Sequence, residues 1–195
     1  MTKSPSIASR LRNRQWRRDN QLVTTDSSLI PIPQLIEMFN LKEFYWANAM
    51  PADMMEQALQ NSLCFGLFRD TESPDQPRDF LGLARCVTDF TTFLYLTDVW
   101  VNKEEQGKGL GTWLIQCVQE VIEEMPHLRR SMLFTSSWER SVPFYERFMG
   151  METIESVRGE GLAVMERKGK GHPFFGRSGT QYCLIVHWCK GDLDH

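Results

Sequence analysis

Residues that could do chemistry cluster in one stretch, LTDVWVNKEEQGKGLGTWLIQCVQEVIEEM, from Leu96 to Met125. In its middle Gly107, Gly109 and Gly111 stand two residues apart. Glycine tolerates positive φ and carries no Cβ, so successive backbone N–H groups there can converge on one point. At a helix start such donors suit an anion, phosphate above all. The spacing excludes the common nucleotide motifs. A Walker loop needs G-x-x-x-x-G-K-[ST], but Lys108 lies between glycines with no Ser or Thr after it. A dinucleotide fingerprint needs G-x-G-x-x-G, and here the glycines alternate throughout. A glycine turn with no ligand stays open on these residues alone.

The flanking pattern says what holds this turn. Before it, TFLYLTDVWV has the β-branched and aromatic content of a strand. After it, Leu110, Trp113, Leu114, Cys117, Val118, Val121, Ile122 and Met125 recur at helical spacing until Pro126 ends the run. The turn thus joins a strand to a helix of about four turns. Upstream, a short strand after Asn20 leads to a helix opened by Pro33, with Leu35, Ile36 and Phe39 on one face. PADMMEQALQNS predicts a second helix with Met54, Met55, Ala58 and Leu59 inward. SLCFGLFRD and DFLGLARCVTD predict a hairpin across a Pro-rich loop. Downstream, RRSMLFTS predicts a short buried strand, SVPFYERF a helix closed by Gly150, and METIESV and LAVMERK a last pair of strands. A strand–helix–strand unit around the glycine turn requires a parallel neighbour, so the expected fold is a single α/β domain on a mixed, mostly antiparallel sheet flanked by helices.

Gln106-Gly107-Lys108-Gly109-Leu110-Gly111 resembles the R/Q-x-x-G-x-G/A signature of the GNAT N-acetyltransferase superfamily. PFYERFMGM resembles that family's second signature, a tyrosine early in a short helix closed by a glycine turn. The resemblance spans roughly Leu22 to Lys168. It implies acetyl-coenzyme A as acetyl donor, its pyrophosphate over Gln106 to Gly111, Thr112 as a further contact, and its pantetheine arm alongside Val99, Trp100 and Val101. Ser137, Ser141 and Phe144 are the remaining implied contacts, since SSWERS lacks the asparagine often found at that helix start. Tyr145 is implied as proton donor to the departing sulfur. Asp98 resembles the acidic residue of polyamine acetyltransferases, although Thr97 stands where those enzymes carry a glutamate. It is therefore a candidate base, with cation binding or capping of a backbone bend as the alternatives. Tyr45, Trp46, Arg85, Asp89, Tyr95 and Thr97 are candidates for the acceptor pocket.

Acetyl transfer to an amine requires a neutral nucleophile, a donor for the oxyanion and a proton for the thiolate. An alkylammonium of pKa about 10.4 lies about 3.4 units above pH 7, roughly 4.6 kcal/mol against the reactive form, so a base or a water chain is expected. The oxyanion donor would be a backbone N–H, of Val99 or Trp100.

The net charge of −3 gives no global field that would recruit nucleic acid or an anionic membrane. No apolar run approaches the ~18 residues of a membrane span. Cys64, Cys86, Cys117, Cys183 and Cys189 are odd in number and scattered, which suits reduced thiols in the cytoplasm. Cys183, His187 and Cys189 lack a fourth ligand at a usual spacing, and no metal is expected. Residues 1–19 carry six Lys or Arg before the first acid, Asp19, and read as a disordered basic leader, with a mitochondrial presequence as the alternative. Residues 20–168 form the expected domain, and 169–195 an extension of unknown role with one strand-like run, QYCLIVHW. The expected acceptor is a small-molecule primary amine, a protein lysine or N-terminus remaining open, as does a homodimer. A non-catalytic acyl-coenzyme A sensor is the alternative function.

Overall fold

The computed structural model describes residues 5–42, 47–70, 78–154, 163–168, 170 and 175–176. Eight strands of the described residues form one sheet in the order β1-β2-β3-β4-β5-β6-β8-β7. They are β1 (Gln15–Arg18), β2 (Gln21–Thr24), β3 (Leu63–Arg69), β4 (Asp79–Thr88), β5 (Phe93–Val101), β6 (Arg130–Thr135), β7 (Glu152–Ile154) and β8 (Ala163–Lys168). Every neighbouring pair is antiparallel except β5 with β6. That parallel pair is joined by the long helix after the glycine turn, as the strand–helix–strand pattern requires.

Among the described residues five helices accompany the sheet: α1 (Ile7–Leu11), α2 (Ile32–Phe39), α3 (Ala52–Gln60), α4 (Leu110–Glu124) and α5 (Ser141–Met149). Helices cover the two faces unequally. On one face α4 and α5 bury Leu114, Val118, Val121 and Val142 against Phe65, Leu67, Leu94, Leu96 and Leu133. On the other α2 and α3 bury Leu35, Met38, Met55 and Leu59 against Leu22, Cys64, Phe68 and Leu83. β3 lies between these layers, so its residues from Leu63 to Phe68 are all buried rather than alternating.

Three expectations need correction. The basic leader is folded from residue 5 onward: β1 pairs with β2 at the sheet edge, and Leu11 joins the core. Its cations meet the acidic face of α4 and its surroundings. Arg14 ion-pairs with Glu124, the Trp16 indole donates to Glu120 at 2.7 Å, and the Arg18 guanidinium lies 4.8 Å from the Trp113 ring centre. Arg14 thus finds its partner 110 residues away in sequence, and Arg17 pairs with Asp70. Met54 is 47% exposed, because α3 turns only Met55 and Leu59 fully inward. β6 is not buried throughout: Ser131 and Leu133 are buried, whereas Phe134 is 53% exposed. The run Gln181–Trp188, Cys183 and Cys189 lie outside the described residues. Among the described residues no helix is long and apolar enough to cross a membrane.

Candidate active site

The site is built around β5, whose two halves behave differently. Up to Tyr95 it is laddered on both sides, and to β6 it pairs at Phe93↔Arg130, Leu94↔Ser131 and Tyr95↔Met132. Beyond Tyr95 no ladder pair joins β5 to β6, although β5 continues to Val101 and β6 to Thr135. The strands part there. On its other side β5 carries one extra residue, since Arg85 faces Thr97 while Leu83 faces Trp100. This bulge sits at Asp98, which adopts a left-handed φ of 49°.

Asp98 is buried, and its carboxylate is engaged within the protein. Oδ2 accepts from Arg85 Nε at 2.7 Å, and Oδ1 accepts from the Thr97 hydroxyl at 3.3 Å. Arg85 also donates through Nη1 to the Ser62 hydroxyl at 3.1 Å, while Arg12 of the folded leader donates to the Ser62 carbonyl at 2.9 Å. A carboxylate with both oxygens held in this way pins the bulge. Arg85 and Thr97, named from sequence as pocket residues, thus belong to the same network. After the bulge Val99 and Val101 pack toward α4, and Trp100 points to the opposite layer against Phe80.

At the end of β5 the chain makes a short 3-10 turn (Lys103–Glu105) and enters the glycine turn. The Gln106 side-chain amide donates to the Val101 carbonyl at 3.0 Å, tying the turn back to the strand. Gly107 and Gly109 have φ of 80° and 74°, conformations that side-chain-bearing residues rarely adopt. Gly109 is the N-cap of α4, offers no side-chain acceptor, and no acidic residue occupies the first turn. The helix start therefore presents donors and the positive end of its dipole without an internal anion. Gly111 differs, since a Cβ there would meet only Val101 Cγ2 at 3.8 Å. Leu110 is a core side chain, so only its backbone is available to a ligand, while Thr112 is partly exposed. The Lys108 ammonium pairs with Glu105 at 3.0 Å, and Arg69 holds the other oxygen of Glu105 at 2.9 Å. Lys108, then Arg69, keep the Glu105 carboxyl below its usual range.

Tyr145 lies on α5, which packs against α4 on the sheet face opposite α2 and α3. Its ring meets Phe144 edge to face, with centroids 5.2 Å apart. Burial, with Cys86 nearby, pushes the Tyr145 hydroxyl above its usual pKa, so it is protonated at neutral pH and able to donate. The loop before α5 is organised by Ser137, whose N–H donates to the Thr135 hydroxyl at 3.1 Å. The Ser137 carbonyl accepts from Ser141 N at 3.0 Å and Val142 N at 3.2 Å. Tyr95 lies on the other side of the sheet, its ring 5.4 Å from that of Phe134. Tyr45 and Trp46 lie outside the described residues. Asp89 is a turn residue, accepting from the N–H groups of Thr91, Thr92 and Phe93, and is spent on the β4–β5 connection.

The parted strands, the bulge and the donor-rich helix start coincide with a family match. Residues 32–151 match the acetyltransferase (GNAT) family model, more than half of the chain. The chain belongs to the GNAT acetyltransferase family. A Gibberella zeae protein assigned as an acetyltransferase is 33% identical over 171 residues, covering 80% of this chain and 95% of that one. The crystal structure of a GNAT-family acetyltransferase from Xanthomonas campestris superposes with a TM-score of 0.51 at 29% identity, covering 73% of this chain and 97% of that one. The Vibrio cholerae spermidine N-acetyltransferase, solved with CoA and spermine, gives 0.58 at 12% identity, covering 79% and 98%. That second likeness is one of fold. As a GNAT acetyltransferase the protein belongs to a family that binds CoA or acetyl-CoA, and the single mixed α/β domain expected from the sequence is the observed one.

Sequence reading missed Phe134, Ser62, Arg12 and Glu105. Phe134 carried a usable signal, because Ser131, Leu133 and Thr135 alternate with Met132 and Phe134 and one set must face away from α4. The other three carry no local signal, since their roles exist only through partners distant in the chain.

Proposed function

We propose that this GNAT acetyltransferase moves the acetyl group from acetyl-CoA directly to a primary amine of a small molecule. The parting of β5 from β6 beyond Tyr95, beside a helix start with no acid of its own, carries this reading. The pyrophosphate lies over backbone N–H groups from Gln106 to Thr112. The amide-bearing arm runs along Val99 to Val101, with Ser137, Ser141 and Phe144 on its far side, and makes strand-like hydrogen bonds in the gap. The amine nitrogen attacks the thioester carbonyl carbon, forming the N–C bond. A backbone N–H of Val99 or Trp100 receives the oxyanion. The C–S bond then breaks, and the sulfur takes the Tyr145 proton, which solvent replaces.

Direct transfer is supported by the cysteines. Cys64, Cys86 and Cys117 are all buried and free. Desolvation pushes the Cys64 and Cys117 thiols up to about 12 and raises Cys86 as well, so none of the described cysteines is a ready nucleophile. Asp98 acts as a positioning residue, its carboxylate holding the bulge, and the ammonium proton leaves through water.

Thiol release in the presence of acetyl-CoA, measured across small amines, amino sugars, lysine peptides and peptide N-termini, tests the proposal. Amine-dependent turnover on small amines is expected. CoA binding with no turnover on any amine, by folded protein, would instead favour an acyl-CoA sensor.

A further inference from the structure

The sheet face opposite α4 is covered over its β2–β4 part by α2 and α3, but presents large apolar side chains farther along. Val87, Tyr95 and Met132 align in register across β4, β5 and β6, on the last rung before the strands part. Phe134 stands one step nearer the gap and Phe93 one step farther. Phe134, Val87 and Phe93 are 53%, 42% and 39% exposed, and the Tyr95 and Phe134 rings stand 5.4 Å apart. Tyr145 and α4 lie on the other face, so an acceptor reaching the gap from this face meets the rings first.

Two ion pairs lie on this face, and Glu152 is exposed at the far end of the same rung, beyond Glu166. Arg85 pairs with Asp98 beside the gap, and Arg130 pairs with the buried Glu166 on the next strands. A polyamine needs several carboxylates for its several cations, whereas an amine with one apolar or aromatic body needs a ring platform and room for a single nitrogen.

We infer that the acceptor is an amine bearing an aromatic or bulky apolar group, with Tyr95 and Phe134 as the residues that select it. The inference rests on the acetyltransfer reading and names the substrate class of the same site. The test compares phenethylamine, propylamine and spermidine as acceptors for the full chain and for Phe134→Ser, with Phe93→Ser as a second exposed variant. Phenethylamine is expected to have the highest kcat/KM. Phe134→Ser is expected to lower that value by about tenfold, through KM, while changing propylamine turnover by less than about twofold. Preference for spermidine, or an equal loss for phenethylamine and propylamine in Phe134→Ser, would overturn the inference. Absence of turnover with every amine would overturn the acetyltransfer reading, and phenethylamine binding in the presence of CoA then decides the platform separately. Binding weakened by Phe134→Ser supports it, and no binding by the wild type sinks it.

Discussion

The two halves of β5 share one strand yet do opposite work. From Phe93 to Tyr95 the strand alternates, with Leu94 buried under α4, and its backbone is consumed by ladders to β4 and β6. From Thr97 to Val101 the same strand is bulged on one side and parted from β6 on the other. The regular half holds the fold together. The irregular half leaves backbone beside a gap, which is what an oxyanion donor and an extended amide-bearing arm require. The candidate site is thus a local interruption of the sheet, stabilised by a part-buried ion pair and framed by two helices.

The sharpest way to break this contrast is to remove the pin. Arg85→Met would leave Asp98 buried without its guanidinium, and a loss of about 3 kcal/mol in unfolding free energy is expected by denaturant titration. Asp98→Asn keeps a side chain that tolerates the left-handed φ and accepts one hydrogen bond, so kcat should fall by no more than about tenfold. A loss of three or more orders of magnitude, with the fold intact, would make Asp98 the base after all.

Tyr145→Phe probes the chemistry on the other side of the gap. About a hundredfold loss of kcat is expected where chemistry limits the rate. The pH profile sharpens it. Turnover should rise with pH as the acceptor ammonium deprotonates, and because the Tyr145 hydroxyl is raised above 10.0 it should stay protonated, giving no descending limb below that pH. A descending limb near pH 8 would assign the acid elsewhere.

The smallest effects separate the glycines. Gly109→Ala forces a side chain into a φ of 74° and should cost about 1 kcal/mol of stability and weaken CoA binding severalfold. Gly111→Ala meets only Val101 at van der Waals distance inside a helix, so calorimetry should find stability unchanged or raised by up to ~1 kcal/mol. Equal losses at both positions would mean that backbone conformation is not what the turn selects.

Legibility followed the range of the interaction. The α4 helix, the glycine turn before it and the β5-α4-β6 unit were readable because helical spacing, left-handed φ and turn composition are properties of neighbours in sequence. The leader was misread because a run of arginines looks the same in solvent and against α4. Only the pairing of Arg14 with Glu124 and of Trp16 with Glu120, more than a hundred residues apart, distinguishes the two. β6 was read as a buried strand because a short apolar run does not reveal that Phe134 is 53% exposed.

By itself, then, the sequence determined the order of elements from β2 onward, the family and the glycine turn before α4, since each depends on local pattern and backbone preference. Tertiary structure alone decided that Asp98 is held by Arg85, that β5 leaves β6 after Tyr95, and that Tyr95 and Phe134 share an exposed face. Those facts depend on register and on which strand edges meet. Register is set by the packing of all strands together, and no single segment encodes it.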